Sequence, residues 1–329
     1  MRAVQCVAPG KVCFVEAPKP QLQPGHALIR TLLLSLCGSD VHMVYYAPPD
    51  EYPFPVGTAG HEVIGVVETV APSGCDLKPG DVALTLAPSQ TAMAEYYLAS
   101  AEDVLVLPAG KPLEHLLMSQ QLGTVIYALK RLPSLFGKDV AIIGQGSAGL
   151  FFDAMCRRLG AEKVIGLDII SHRVAAGPKF GATHVVNNAQ EDALRAVERI
   201  TRGRLADVVI EAAGEAETIN LAAHLVKVGG HLMYFGVPRA HNLTFDFWTL
   251  FRKYCYTTTS GGSPFEPGRR SFHAALDLVA RDEIDVTPLL THRLAFEQVI
   301  QGYELMRTRA DGAIKVVIEM PGYRQVFAK

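Results

Sequence analysis

The stretch "LCGSDVH" sets Cys37, Ser39, Asp40 and His42 close together, and further on "GTAGHEVIGVV" places Gly60, His61 and Glu62 ahead of an apolar run. A thiolate, an imidazole and a carboxylate form a borderline-soft donor set that suits zinc. The spacing fits neither a disulfide framework nor a compact zinc finger. Taken singly, each residue reads as a buried thiol, a core histidine or a surface acid. Together, each on or beside a tight glycine turn in a strand-rich region, Cys37, His61 and Glu62 point to a metal.

A second chemical signature stands in "VAIIGQGSAGL", where Gly144, Gly146 and Gly149 have G-x-G-x-x-G spacing. The motif ends an apolar strand and opens a helix at Ser147, the context that gives it meaning. Gly144 permits the sharp turn, Gly146 lets a pyrophosphate approach the backbone, and Gly149 allows close packing of helix on sheet. The helix N-terminus adds free N–H groups and a partial positive charge. The next apolar strand ends at Asp168, placed to accept hydrogen bonds from an adenosine ribose. A carboxylate there favours NAD, because the 2′-phosphate of NADP would meet a like charge, and the nearby Arg173 tempers that preference.

These groups need elements to hold them. Up to about residue 112 the texture is strand-rich, with apolar bursts such as "HALIRTLLLSL" and "DVALTLAP" separated by Pro and Gly turns. The segment "MSQQLGTVIYALKRL" then changes to helical spacing, with Leu122, Val125, Ile126 and Leu129 on one face and Ser119 as N-cap. From about residue 138 strands and helices alternate. "KDVAIIG", "EKVIGLD", "THVVN", "ADVVIEAAG", "HLMYFGV" and "KYCYTTTS" read as strands with little internal alternation, which predicts a parallel sheet covered on both faces, the doubly wound α/β class. After residue 260 two helical segments and a last strand, "GAIKVVIEM", break the alternation and read as a cap or a return to the first domain.

A chain of 329 residues suggests two domains with ample core. Its formal charge of −2 gives no reason to expect nucleic acid or an anionic membrane as partner. The N-terminus reads as strand, turn and strand rather than a signal peptide, and the apolar stretches are too interrupted to span a bilayer. The cysteines, Cys6, Cys13, Cys37, Cys75, Cys156 and Cys255, are scattered, as expected for reduced thiols in the cytoplasm. Cys156 reads as a small buried apolar residue.

Taken with the dinucleotide pattern, the chain resembles the zinc-dependent medium-chain alcohol and polyol dehydrogenases, including the sorbitol-dehydrogenase-like members. The resemblance spans "CGSDVH", "GHEVIGVV", "PGDVALT", "GQGSAG", "THRLAFEQVIQGYELM" and "GAIKVVIEM". It implies a GroES-like, β-rich catalytic domain built from residues 1–121 and 259–329, and a Rossmann cofactor domain over 122–258. It makes the tail a return to the first domain, and it suggests a homodimer or homotetramer. By resemblance, Cys37 and His61 ligate zinc, with Glu62 a third ligand or a close neighbour of the metal. Asp40 orients His61, Ser39 accepts the substrate proton, and His42 passes it toward solvent. Thr124 sits near the nicotinamide and Lys315 near the cofactor phosphates.

The chain departs from that pattern in two places. Where many relatives carry a cysteine or acid as a further ligand, the resemblance puts Gln120, a poor ligand that can bind through its amide oxygen or hold a water. The lobe after the Pro-Gly-Asp turn lacks the four cysteines of a structural zinc, and Cys75 stands alone before it, so one catalytic zinc is expected. The leading reading is a zinc- and NAD-dependent dehydrogenase of a secondary alcohol, most plainly a polyol, cyclitol or sugar derivative. The alternatives are a metal-free quinone or enoyl reductase of the same fold and a non-catalytic NAD-binding protein.

Overall fold

Pairing of β-strands in register brings the two stretches that carry the candidate metal donors together. The computed structural model describes residues 1–72, 76–86, 90–260, 263 and 266–323; Cys75 lies outside them. The first strands are β1 (Arg2–Ala8), β2 (Lys11–Glu16), β3 (His26–Ser35), β4 (Glu62–Val70), β5 (Val82–Leu86), β6 (Tyr96–Ser100) and β7 (Val104–Val106). The central segment holds β8 (Asp139–Ile143), β9 (Lys163–Asp168), β10 (His184–Asn187), β11 (Ala206–Glu211), β12 (Val226–Tyr234) and β13 (Tyr256–Thr259), and the tail holds β14 (Leu290–Ala295) and β15 (Lys315–Glu319). The helices, in chain order, are α1 (Gly38–Tyr45), α2 (Leu113–Leu117), α3 (Ser119–Leu129), α4 (Ser147–Arg158), α5 (Ser171–Ala176), α6 (Ala193–Ile200), α7 (Ala216–Leu225), α8 (Phe247–Lys253), α9 (Arg270–Ala280) and α10 (Val299–Thr308).

The chain divides into two units, one of Met1–Gly123 with Pro264–Lys329 and one of Thr124–Ser263. In the first, a sheet runs β14-β15-β3-β4-β5-β7, with β6 also paired to β3 and β1-β2 forming a separate hairpin. Strand β3 carries most of this core. Leu32, Leu33 and Leu34 are all fully buried, so both faces of the strand are covered rather than one. Burying each such leucine contributes roughly 1.5–3 kcal/mol. One edge of β3 pairs with β4, while the other is shared by β6 over His26–Arg30 and by β15 over Leu33–Ser35. The tail returns to the first unit, because β15 takes the part of the β3 edge that β6 does not.

The second unit is a six-stranded parallel sheet in the order β10-β9-β8-β11-β12-β13. The six apolar runs of the sequence supply its strands. Their core positions, among them Val140, Ile142, Ile165, Leu167, Val209 and Leu232, are buried, as parallel strands roofed by helices on both faces must be. The order reverses direction between β8 and β11, so the crevice at the carboxyl ends of these two strands is the place where such sheets bind ligands.

Helix α3 corrects one local expectation. Its apolar face of Leu122, Val125, Ile126 and Leu129 is buried as the spacing requires. Ser119 is not its N-cap, however. Helix α2 runs almost directly into α3, Leu122 N–H donates to the carbonyl of Met118, and the Ser119 hydroxyl finds no partner among the described residues.

Candidate metal centre and dinucleotide turn

The register of β3 against β4 sets Ser35 directly opposite Glu62. Two residues beyond Ser35 the chain reaches Cys37, and one residue before Glu62 it leaves His61, so two distant stretches meet at the ends of paired strands. A Cys37 sulfur, a His61 ring nitrogen and a Glu62 carboxylate oxygen all lie within 4.8 Å of one another, among the described residues the one group of three such donors. This donor set fits a zinc ion in chemistry and in proximity.

Asp40 ties the two halves together. Cys37 has extended backbone (φ −117°, ψ 163°) and caps α1, and its N–H donates to Asp40 Oδ2 at 2.8 Å. The other oxygen, Oδ1, accepts from His61 Nδ1 at 3.0 Å. One fully buried carboxylate thus holds the backbone of one donor and the ring of the other, so a metal bound by His61 would take Nε2. Burial disfavours the His61 cation, but the charge and hydrogen bond of Asp40, reinforced by Cys37, outweigh it and raise the imidazole well above its ordinary range.

The third donor is already engaged. Lys315 Nζ, fully buried, lies 2.8 Å from Glu62 Oε1 and 2.6 Å from Oε2, and the Ser35 hydroxyl donates to Oε2. This corrects the expectation for Lys315. Withdrawn from solvent and closed into an ion pair, it neutralises the carboxylate beside the metal donors rather than presenting its charge to cofactor phosphates. Both Glu62 oxygens are thus engaged, and a metal taking either would share it with Lys315 or Ser35.

The amide expected at Gln120 comes instead from the next residue. Gln121 Nε2 lies 3.8 Å from Cys37 Sγ, within hydrogen-bonding reach of a thiol sulfur. Gln120, also buried, sits one position earlier on α3, about 100° round the helix. Adjacent glutamines cannot be told apart by spacing alone; helix phase decides which of them faces the sulfur. Ser39 and His42 lie three apart on α1, the separation that puts two side chains on one face, and both are half-buried. Thr124, on α3, is half-buried. Ser35, whose hydroxyl grips Glu62, was not singled out from the sequence. Only the strand register marks it.

The glycine-rich turn of the second unit has the shape its spacing requires. Gly144 has φ 96°, and a side chain on Gly149 would strike the Gly144 carbonyl oxygen at 1.8 Å, so α4 packs against the turn only because both are glycine. Beside Gly146, by contrast, an added carbon would meet only Arg173, at 3.7 Å, which leaves the open approach a pyrophosphate needs. Ser147 is the first residue of α4. Asp168 ends β9, where its carboxylate accepts from Gln145 N–H at 2.7 Å and from Ile170 N–H at 2.9 Å. The acid and Arg173 therefore stand at the same turn.

Comparison with known proteins identifies the family. The model for the alcohol dehydrogenase GroES-like domain matches residues 23–109, and that for zinc-binding dehydrogenases matches residues 148–281. The chain is 27% identical to D-xylulose reductase A of Aspergillus oryzae, covering 94% of this chain and 93% of that one. It is 26% identical to an alcohol dehydrogenase of Cupriavidus necator, covering 97% and 98%. Among solved structures, zinc dependent alcohol dehydrogenase 2 from Streptococcus pneumonia superposes with a TM-score of 0.86 at 27% identity over 98% of this chain and 99% of that one. With its cysteine, histidine and acid converging in one unit and its glycine turn formed in the other, the chain belongs to the zinc-dependent medium-chain alcohol and polyol dehydrogenase family.

Proposed function

We propose that the protein transfers a hydride between NAD and a secondary alcohol or its ketone, a polyol, cyclitol or sugar derivative, at a single zinc site. The convergence of Cys37, His61 and Glu62 within 4.8 Å carries this reading, since a metal-free reductase needs no such donor set. The names of its relatives support it as well, D-xylulose reductase and sorbitol dehydrogenase among them. Zinc, when bound, would supply Lewis acidity that brings a substrate hydroxyl into the neutral range, and the nicotinamide would accept the hydride.

The chain's own residues have definite tasks on this reading. Cys37 and His61 hold the metal, Asp40 fixes both, and Gln121 donates to the sulfur. Lys315 and Ser35 restrain Glu62, so the negative charge near the reacting oxygen stays balanced. Ser39 takes the hydroxyl proton and His42 relays it, which matters because a proton released into a dry cleft would otherwise stop turnover. Thr124 orients the nicotinamide, the α4 N-terminus with Gly144, Gly146, Ser147 and Gly149 receives the pyrophosphate, and Asp168 reads the ribose in favour of NAD.

We further infer a homo-oligomer in the cytoplasm. Strand β13 is one of the two edges of the parallel sheet, and near it in sequence Phe247, Trp248, Phe251, Tyr254 and Tyr256 are all more than half exposed, a liability that a second copy would cover. Among the described residues Cys6, Cys13, Cys37, Cys156 and Cys255 are free thiols, which suits a reducing compartment. No helix of the described residues is long and apolar enough to cross a membrane.

The test is zinc per chain in protein purified without added metal or chelator, followed by NAD reduction over a panel of polyols. A value near one, with turnover abolished in Cys37→Ser and NAD affinity kept, is the expected outcome. A value near zero that added zinc does not raise would favour the metal-free reductase.

A further inference from the structure

The turn that delivers His61 is held in a conformation its sequence disfavours. Ala59, fully buried and two residues before His61, has φ 77°. An L-residue with a side chain pays about 1–2 kcal/mol for that left-handed geometry, and such strain persists only where the surroundings over-determine it. Several backbone bonds clamp the flanks. Gly57 N–H donates to Val4, Met93 N–H to Gly57, Gly60 N–H to Gln90 and Ala92 N–H to Gly60. Gly60 has no room to move, since a carbon added there would lie 2.8 Å from both Leu34 Cδ2 and Met93 N.

The carbonyl of Ala59 itself is taken by a side chain from far along the chain. Tyr303, fully buried on α10, donates its hydroxyl to that oxygen at 2.7 Å. A phenylalanine would fill the same volume in the same apolar core, so packing alone does not require the hydroxyl. Its hydrogen bond rewards the left-handed turn and, among the described residues, satisfies the buried Ala59 carbonyl. Rotation of Ala59 back to negative φ would redirect the chain within two peptide units of His61, whose ring must meet both Asp40 and the Cys37 sulfur.

We propose that Tyr303 is a positioning residue of the metal centre, its hydroxyl locking the strained Ala59 turn and thereby pre-organising His61 as a ligand. The inference rests on the zinc reading given above. It makes part of the metal affinity depend on a residue of the C-terminal return that contacts neither metal nor substrate.

The experiment measures zinc affinity of the full-length protein by competition with a chromophoric chelator, alongside the thiolate-to-metal absorption of the cobalt-substituted form. Tyr303→Phe is expected to weaken zinc about tenfold, equivalent to about 1.4 kcal/mol, and to shift the cobalt band. Adding Ala59→Gly to that variant is expected to restore affinity, because glycine adopts positive φ without strain; Ala59→Gly alone should change it little. Affinity within twofold of the parent in a folded Tyr303→Phe protein overturns the proposal. So does failure of Ala59→Gly to restore it, or collapse of both variants, which would make the tyrosine purely structural. Absence of zinc binding by the parent protein would instead overturn the zinc reading itself.

Discussion

Asp40 offers the sharpest test of how the metal centre is built. Its two oxygens accept from the Cys37 backbone at 2.8 Å and from His61 Nδ1 at 3.0 Å, and the side chain is fully buried. Asp40→Ala removes both acceptors, frees the imidazole to rotate and unpins the start of α1. Loss of a partner that orients a ligating histidine typically costs about 10- to 100-fold in metal affinity, and here the same residue also holds the cysteine, so the upper end of that range is expected. Asp40→Asn keeps the shape but only one acceptor oxygen, and its NH2 cannot accept from the second donor; an intermediate loss is expected. Chelator competition at fixed pH gives the affinities, and an NADH fluorescence titration should show the dinucleotide affinity nearly unchanged, since that turn is formed by residues of the second unit. Zinc affinity in Asp40→Ala within twofold of the parent would refute the argument, as would equal losses in the Ala and Asn variants.

Lys315→Met leaves the Glu62 carboxylate buried without its counter-charge, and losses from such single replacements run to about 3–5 kcal/mol; pairing it with Glu62→Gln should recover most of that, read as the thermal midpoint of the metal-free protein. The buried Asp153 on α4 has its pKa raised well above the ordinary carboxyl range by desolvation, only partly opposed by a hydrogen bond from Gln145. The folded state therefore holds a proton that the unfolded chain releases, so the parent loses stability as pH climbs above about 4 toward the raised folded-state value. Asp153→Asn should remove that slope, and denaturant midpoints at mildly acidic and mildly alkaline pH that shift in parallel for parent and variant would contradict it. Removing Arg173 with Arg173→Ala should weaken NADP more than NAD, because the guanidinium stands beside Gly146; an unchanged ratio of the two dissociation constants would mean another group reads the 2′-phosphate. A charge placed on the open edge by Tyr256→Lys should shift the assembly toward monomer by light scattering, and a parent already monomeric at micromolar concentration would remove the oligomer reading.

Local patterns told much of this in advance. The glycine turn was legible because its chemistry is contiguous: strand, Gly144, Gly146, helix and Gly149 follow one another, and backbone sterics admit no other residue where Gly149 meets the Gly144 carbonyl. The parallel sheet was legible for a similar reason, since strands covered on both faces leave continuous apolar runs. Cys37, His61 and Glu62 could be nominated by type and by their glycine turns, and Asp40 through the family resemblance. What the residue types left open was which groups would touch. Strand register put Ser35 against Glu62, and β15, arriving from the far end of the chain, buried Lys315 in an ion pair where a cofactor contact was expected. The rotation of α3 chose Gln121 over Gln120 as the neighbour of Cys37, and a tyrosine from α10 reached the carbonyl of Ala59. Sequence by itself determined the kinds of chemistry and the elements that carry them, because those depend on neighbours along the chain. The pairing of charges and the aim of each side chain belonged to tertiary structure, because register, helix phase and long-range closure have no signature at any single position.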